Sequence, residues 1–413
     1  MSPDAATAGQ QLVTVTDVLG NQSQTQSITA GTAGALALGD LNQDGFADLV
    51  VGFESGLRIA TATAVTDPSQ GLTFGGAASG CETTGSQPGF LDIAIADLDG
   101  DGQSEIAALC LAVTSGEFKL LIFNVDPSTL AVTGTTTSWI GGAFFTAGAI
   151  VAGNFAEETG APGAFPRMEL VIVAQYLNVD LQGGAEVLSL SVNDSFQATV
   201  ANTLDLNYLG NTEIYATSGQ IDWFGATEQI AVGINNFNDY TSYAYILTLD
   251  SSLNITEQSR TQVASCIQGI ALGNFDRTDA QGQRVPDLQL ATIASPTCLA
   301  PTQAPVVYIF DVDDTNGYAL SQLTSYPLGS SPPIQDLGLH FAVGDTQGRS
   351  VLLGPPEKVT VSTHLQPDIV LGVPPMHVDY VSNNAGQPGA SVPSVFNVSA
   401  FPSIYFSRYV TIH

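Results

Sequence analysis

"ALALGDLNQDGFADLVVGF", residues 35–53, sets two apolar runs on either side of a turn dense in oxygen. Asp40, Asn42, Asp44 and Asp48 crowd that turn, and Gly45 follows the third of them. The flanks carry no helical period and read as the two strands of a hairpin. Gly45 permits the sharp reversal. A hard cation of calcium size takes about six to eight oxygens at about 2.3–2.6 Å. Asp40, Asn42, Asp44 and Asp48, the backbone carbonyl of Phe46 and water would supply them. Magnesium fits less well, because it prefers fewer protein ligands in stricter octahedral geometry.

Other acidic loops are separable from this one. An EF-hand would need a bidentate Glu at the twelfth position and flanking helices. With Asp40 as the first position, the twelfth is Val51, inside a β-type run. An ordinary Asx-rich turn without metal is the remaining alternative. A second well-formed copy weighs against it: "DIAIADLDGDGQSEIAALCL" (92–111) offers Asp97, Asp99, Asp101, the carbonyl of Gln103 and Glu105.

The unit keeps returning. Copies lie at 149–175, 220–234, 269–294 and 339–354, with anchors Asn154, Asn274 and Asp345 after Asp40 and Asp97. That period of roughly 60 residues suits a four-stranded propeller blade. The copy at 274–287 offers Asn274, Asp276, Asp279 and Asp287, with Asp287 aligned to Asp48, as a weaker third site. The 154–169 loop is interrupted by an insertion, and the loops at 224–230 and 345–350 lack the ligands.

Between these copies lie segments of period-2 alternation around Asx-, Pro- and Ser-containing turns: 119–137, 186–203, 243–261 and 306–324. Each reads as an outer hairpin with an exposed edge. An inner apolar hairpin plus an outer polar one makes a blade. The expectation is an all-β chain forming a single propeller, six-bladed by repeat count. "DIVLGV" (368–373) would make it seven if counted. The N-terminal hairpin (11–31) is expected to complete the last blade and close the ring. Residues 1–354 are then the propeller, and 355–413 a tail that belongs to a last blade or leads into a further domain.

Composition narrows the function classes. Lys and Arg number 9 against 39 Asp and Glu, a net charge of −30. Such a surface repels phosphate backbones, so neither nucleic acid nor an anionic lipid surface is an expected partner. No run approaches the roughly 18–20 apolar residues that span a bilayer. The first ten residues show no signal-peptide pattern. Cys81 and Cys110 bracket one acidic loop, and Cys266 and Cys298 another. The short spacings of a metal-binding cysteine set are missing. Two disulfides, Cys81–Cys110 and Cys266–Cys298, follow as one reading, with an extracellular or cell-surface setting. Four buried thiols are the other.

The repeated unit resembles the FG-GAP/VCBS family, best known from the propellers of integrin α-subunits. "GDLNQDGFADLVVG" (39–52) and "ADLDGDGQSEIAAL" (96–109) carry the resemblance, which extends in weaker form over most of 33–354. It implies a β-propeller, usually of seven blades, with calcium in the inner-hairpin loops of one face. It also implies that a partner often binds the opposite face.

No nucleophile elbow, zinc-protease helix or phosphate loop is present. All four histidines lie between His340 and His413. The expected function is non-catalytic: an extracellular adhesion or interaction module, with two structural Ca2+ sites and a third weaker one, that takes a protein or glycan ligand. A carbohydrate-binding lectin is one alternative. A calcium-dependent polysaccharide-degrading enzyme is a second, disfavoured by the scarcity of basic residues.

Overall fold

The computed structural model describes residues 11–17, 23–28, 33–39, 41–43, 48–53, 56–60, 74–78, 81, 89–112, 115–142, 144–156, 167–177, 183–206, 212–219, 221, 227–236, 240–263, 266–273, 289–295 and 306–327. It also describes the backbone strands at 337–344, 358–365, 377–381, 395–396 and 408–412. Strands dominate, and no α-helix occurs among the described residues.

The N-terminal strands β1 (Gln11–Asp17) and β2 (Ser23–Ile28) precede six four-stranded antiparallel sheets, each made of four consecutive strands. The first sheet holds β3 to β6: Ala33–Gly39, Asp48–Phe53, Gly56–Ala60 and Phe74–Ala78. The second holds β7 to β10: Phe90–Ala96, Glu105–Ala112, Glu117–Val125 and Val132–Ile140. The third holds β11 to β14: Phe144–Gly153, Glu169–Leu177, Gly183–Val192 and Ala198–Asp205. The fourth holds β15 to β18: Thr212–Gly219, Gln229–Asn236, Thr241–Leu249 and Ile255–Val263. The fifth holds β19 to β22: Cys266–Gly273, Gln289–Ser295, Val306–Asp313 and Ala319–Pro327. The sixth holds β23 to β26: Leu337–Gly344, Lys358–Leu365, His377–Val381 and Val395–Phe396. The last strand, β27 (Arg408–Ile412), pairs with β1.

The first strand of each sheet packs against the first strand of the next, from β3 through β7, β11, β15 and β19 to β23. The core fills the gaps between neighbouring sheets, so a second strand is buried on both faces. In β8, Ile106, Ala108 and Cys110 face the first sheet, while Ala107 and Leu109 face the third. In β12, Leu170, Ile172 and Ala174 face the second sheet, while Val171 and Val173 face the fourth. This is why "EIAALCLA" and "ELVIVAQ" read as continuous apolar runs. The fourth strands β14 and β18 are buried on one side at most, alternating half-buried and exposed positions along most of their length. The sheets approach closely at Gly39, where an added Cβ would stand 2.7 Å from Ile95 of the second sheet. The arrangement is propeller-like.

Polar groups also cross between sheets. Asp92, at the bulge in β7, accepts from Ile150 N of the third sheet at 2.8 Å and from Ile93 N. Burial pushes its carboxyl up to about 6, against the pull of those two N–H groups. Asn235 joins the fourth sheet to the fifth: its Oδ1 accepts from Ile267 N at 2.8 Å.

Three expectations are corrected. The N-terminal hairpin does not complete the sheet of β23. It forms a three-stranded sheet with β27, which pairs along the open edge of β1. The partner of β23 is β24 at 358–365, not 350–354: Leu337 to Gly344 pair in unbroken register with Leu365 to Lys358. Strands on either side of residue 354 therefore share a sheet. In the fourth sheet the inner hairpin pairs Thr212–Gly219 with Gln229–Asn236, so its first strand precedes residue 220. The polar first strand "TEIYATSG" hides among polar neighbours in the sequence. "DIVLGV" (368–373) lies outside the described residues.

Candidate functional site

Loop 97–105 joins β7 to β8, and its backbone wraps around the Asp97 carboxylate. Gly100 N donates to Asp97 Oδ1 at 2.7 Å and Gly102 N to Oδ2 at 2.8 Å. Asp99 Oδ1 accepts from Asp101 N at 3.1 Å, and Asp101 Oδ1 from Gln103 N at 2.7 Å. Gly100 and Gly102 sit at φ 79° and 88°, where a side chain would be strained. Asp97, Asp99 and Glu105 each bring a carboxylate oxygen to within 4.8 Å of the others. Asp101 stands outside that trio and binds its own turn.

The electrostatics are those of anions forced together. Burial, then the charges of Asp99, Asp101 and Asp97, push the Glu105 carboxyl up to about 8, although the Leu98 N–H holds it down. Asp99 is pushed up too, by burial first and then by Asp101 and Asp97, while the Asp101 N–H and the charge of Arg167 oppose the shift. Each carboxylate oxygen engaged by one N–H keeps a further lone pair. Three hard oxygen donors that repel one another, two of them largely buried, fit a divalent cation ligated by oxygen.

Of the first loop, Asn42 and Asp48 are described. Asp40, Asp44 and Phe46 lie outside the described residues, as do Asn274, Asp276, Asp279 and Asp287. Gln43 takes φ 59°, at the place where the second loop has Gly100. Its Nε2 donates to the carbonyl of Gly102, so the two loops touch. Met168 N likewise donates to the carbonyl of Asp97 at 2.8 Å, and Glu228 N to that of Asn154 at 2.7 Å. Inner-hairpin loops of four successive sheets are thus linked along one rim.

Position 48 has a role that ligand spacing did not reveal. Asp48 pairs with Gly39, and its Oδ2 accepts from Leu41 N at 3.0 Å. Glu105 accepts from Leu98 N at 2.9 Å, Glu169 from Phe155 N at 2.8 Å, and Gln229 from Ile221 N at 2.7 Å. In each case the donor belongs to a buried apolar residue just past the first strand. A buried side-chain oxygen at the head of the second strand therefore clasps the loop. The fifth sheet has Gln289 at this register, opposite Gly273, and not Asp287, which the spacing had aligned there. The four clasps run Asp, Glu, Glu, Gln, so the position requires an acceptor and not a charge.

Outer-hairpin turns use aspartate differently. Asp126 Oδ1 accepts from Ser128 N at 2.9 Å and Thr129 N at 3.0 Å. Asp250 Oδ1 accepts from Ser252 N at 2.8 Å and Asn254 N at 2.9 Å. The turn 313–317 is a short 3-10 element capped by Asp313 and ended by Gly317 at φ 64°. Four of these turns close with an apolar or aromatic residue at positive φ: Leu130, Phe196, Leu253 and Tyr318. Each packs into or against the core. Leu130 is buried, and burying it stabilises by about 1.5–3 kcal/mol, enough to offset the roughly 1–2 kcal/mol cost of that backbone.

A disulfide joins Cys81 to Cys110, with a Cα–Cα distance of 5.8 Å. Cys266 is also disulfide-bonded. Cys298 lies outside the described residues. At the end of the sheets away from the acidic loops, Trp139 is 54% exposed, with Lys119 Nζ 5.8 Å from its ring, and Phe144 is 46% exposed. Among the described residues no helix is long and apolar enough to cross a membrane.

An FG-GAP repeat family model matches residues 32–66, the segment that holds β3, the first acidic loop, β4 and β5. The resemblance read from 39–52 is met there. No curated protein matches the chain. Among solved structures, the chain is similar to an Agrocybe aegerita lectin, described for specific recognition of non-reducing terminal N-acetylglucosamine. Identity is 12%, the TM-score is 0.36, and the match covers 77% of this chain and 81% of that one.

Proposed function

We propose that the chain is a non-catalytic, extracellular β-propeller whose inner-hairpin loops hold structural calcium and whose opposite face binds a partner. The observation that carries the reading is the convergence of Asp97, Asp99 and Glu105 in one small volume, in a repeat whose first copy matches FG-GAP. In the first loop, Asp40, Asn42, Asp44, Asp48 and the Phe46 carbonyl would form the sister site. The cation would neutralise the carboxylates and tie each first strand to its second. Six four-stranded sheets are six blades, and the sheet of β1, β2 and β27 is a seventh that joins the two ends of the chain. The strands at 358–365, 377–381 and 395–396 then belong to the sixth blade, and that at 408–412 to the seventh. The disulfide supports an oxidising compartment.

The exposed Trp139 and Phe144 support a contact surface on the face away from the metal. An exposed indole also suits a sugar ring, which favours a glycan as the alternative occupant. The expected result is that calcium raises the melting temperature well beyond the effect of matched ionic strength, and that Asp97→Ala removes one site's share. Each site would contribute about 2.7 kcal/mol at a hundredfold excess over Kd. A melting curve indifferent to both calcium and chelator would end the metal reading. A glycan array set against a cell-surface protein panel separates the two partner classes.

A further inference from the structure

Loop 97–105 is braced by the loop that precedes β12. Met168 N donates to the carbonyl of Asp97 at 2.8 Å. The residue before it, Arg167, is thereby anchored next to that loop. Arg167 Nη2 also pairs with Asp194 Oδ1 at 2.6 Å, and Asp194 belongs to the outer turn of the same third sheet. In a chain with 9 basic residues against 39 acidic ones, a guanidinium set beside the acidic loop is a notable placement.

We propose that Arg167 is the resident counter-charge of loop 97–105, lowering its affinity for divalent cations and so setting the calcium concentration at which the loop fills. The proposal rests on the cation reading of that loop. Arg167 offsets part of the mutual repulsion of the carboxylates when no cation is bound. Once a divalent ion enters, the two positive charges repel. Asp194 moderates the effect, because it pairs with the guanidinium and stands 85% exposed. The arrangement makes affinity depend on a residue contributed by the next sheet, so loop 97–105 alone does not define the site.

Two substitutions of opposite sign test this, read by calorimetric titration of the full chain with CaCl2. Arg167→Gln should tighten binding at the loop about threefold at low salt, and the gain should fall below about twofold at high salt. Asp194→Asn, which removes one carboxylate charge from beside the guanidinium, should weaken binding. Arg167→Lys should stay near the parent chain. Asp97→Ala in each background identifies which heat belongs to the loop. If Arg167→Gln binds calcium no more tightly, or if its gain is the same at every salt concentration, the counter-charge role is overturned while the calcium site stands. If neither the parent nor any variant binds calcium at this loop, the cation reading fails and takes the proposal with it.

Discussion

Loop 97–105 and the outer turns at 126–130 and 250–254 are built from similar residues and do opposite things to a carboxylate. In the outer turns one aspartate meets several donors. Asp126 is held below the usual carboxylate range by the hydroxyl and N–H of Ser128 and the N–H of Thr129, and Asp250 by Asn254 and Ser252. In the inner loop, the oxygens of four carboxylates outnumber the N–H groups that serve them, and Glu105 is pushed up to about 8. The difference shows that aspartate count does not mark a cation site. What marks it is an excess of anionic oxygen over local N–H groups, combined with burial. An outer turn is electrostatically complete as it folds. The inner loop is complete only with a cation or a proton.

Moving a charge into the clasp position of a sheet that lacks it would test this contrast most severely. Gln229 is 2% exposed and already accepts from Ile221 N. Gln229→Glu keeps the acceptor but buries a charge, and should cost on the order of 2 kcal/mol near pH 8, read by urea unfolding. Calcium should not restore the loss. If it does, the fourth loop is a latent cation site and the contrast between loops is weaker than drawn.

The converse change sharpens the comparison. Glu105→Gln imitates the fourth and fifth sheets and keeps the Leu98 bond. The folded-state value of Glu105 lies above its ordinary 4.5, so its protonated form favours folding. In the calcium-free parent that stabilisation is fully present below about pH 4.5 and is lost as pH rises through about 8. Glu105→Gln should remove this slope and gain on the order of 1–2 kcal/mol at pH 8 without calcium. The same variant should lose calcium stabilisation at its loop. A pH profile identical to the parent's would show that the carboxylate is not the strained group.

The smallest effect is expected at the outer turns. Asp250→Ala removes an acceptor for two N–H groups and should lower the melting temperature slightly, equally with and without calcium. Because Asp250 is held below its ordinary value, its contribution is present above about pH 3.8 and fades as pH falls through the lower folded-state value. A calcium-dependent change would place this turn among the cation sites instead.

Much of the fold was legible, because two periods were written over each other. Continuous apolar runs marked strands buried on both faces, and alternating runs marked the outer strands. The second acidic loop was legible from Asp97, Asp99 and Glu105, since ligand spacing is local. The clasp was not. Its donor and acceptor lie seven residues apart at Leu41–Asp48, fourteen at Phe155–Glu169 and eight at Ile221–Gln229. Its chemistry drifts from acid to amide, and no fixed spacing reveals it. Leu130 and Leu253 were equally hidden, since a leucine in a polar turn gives no hint of positive φ. Asp92 in "FLDIAIA" gave no signal of its use, because that use depends on Ile150 in another sheet. The three-stranded sheet escaped for a similar reason: β1 and β27 pair across almost the whole chain.

The clasp also bears on how such a chain can change length. The oxygen at the head of the second strand seizes the N–H just past the first strand, whatever lies between them. The span from strand end to strand start runs from residue 39 to 48 in one sheet and from 153 to 169 in another, with the opposing glycine in the same register. Extra residues are shut out of the sheet at a closure cost that grows only slowly with loop length. Each inner loop is in effect a socket: foreign segments of varied size can be grafted there, by drift or by design, while the strands on both sides keep their pairing.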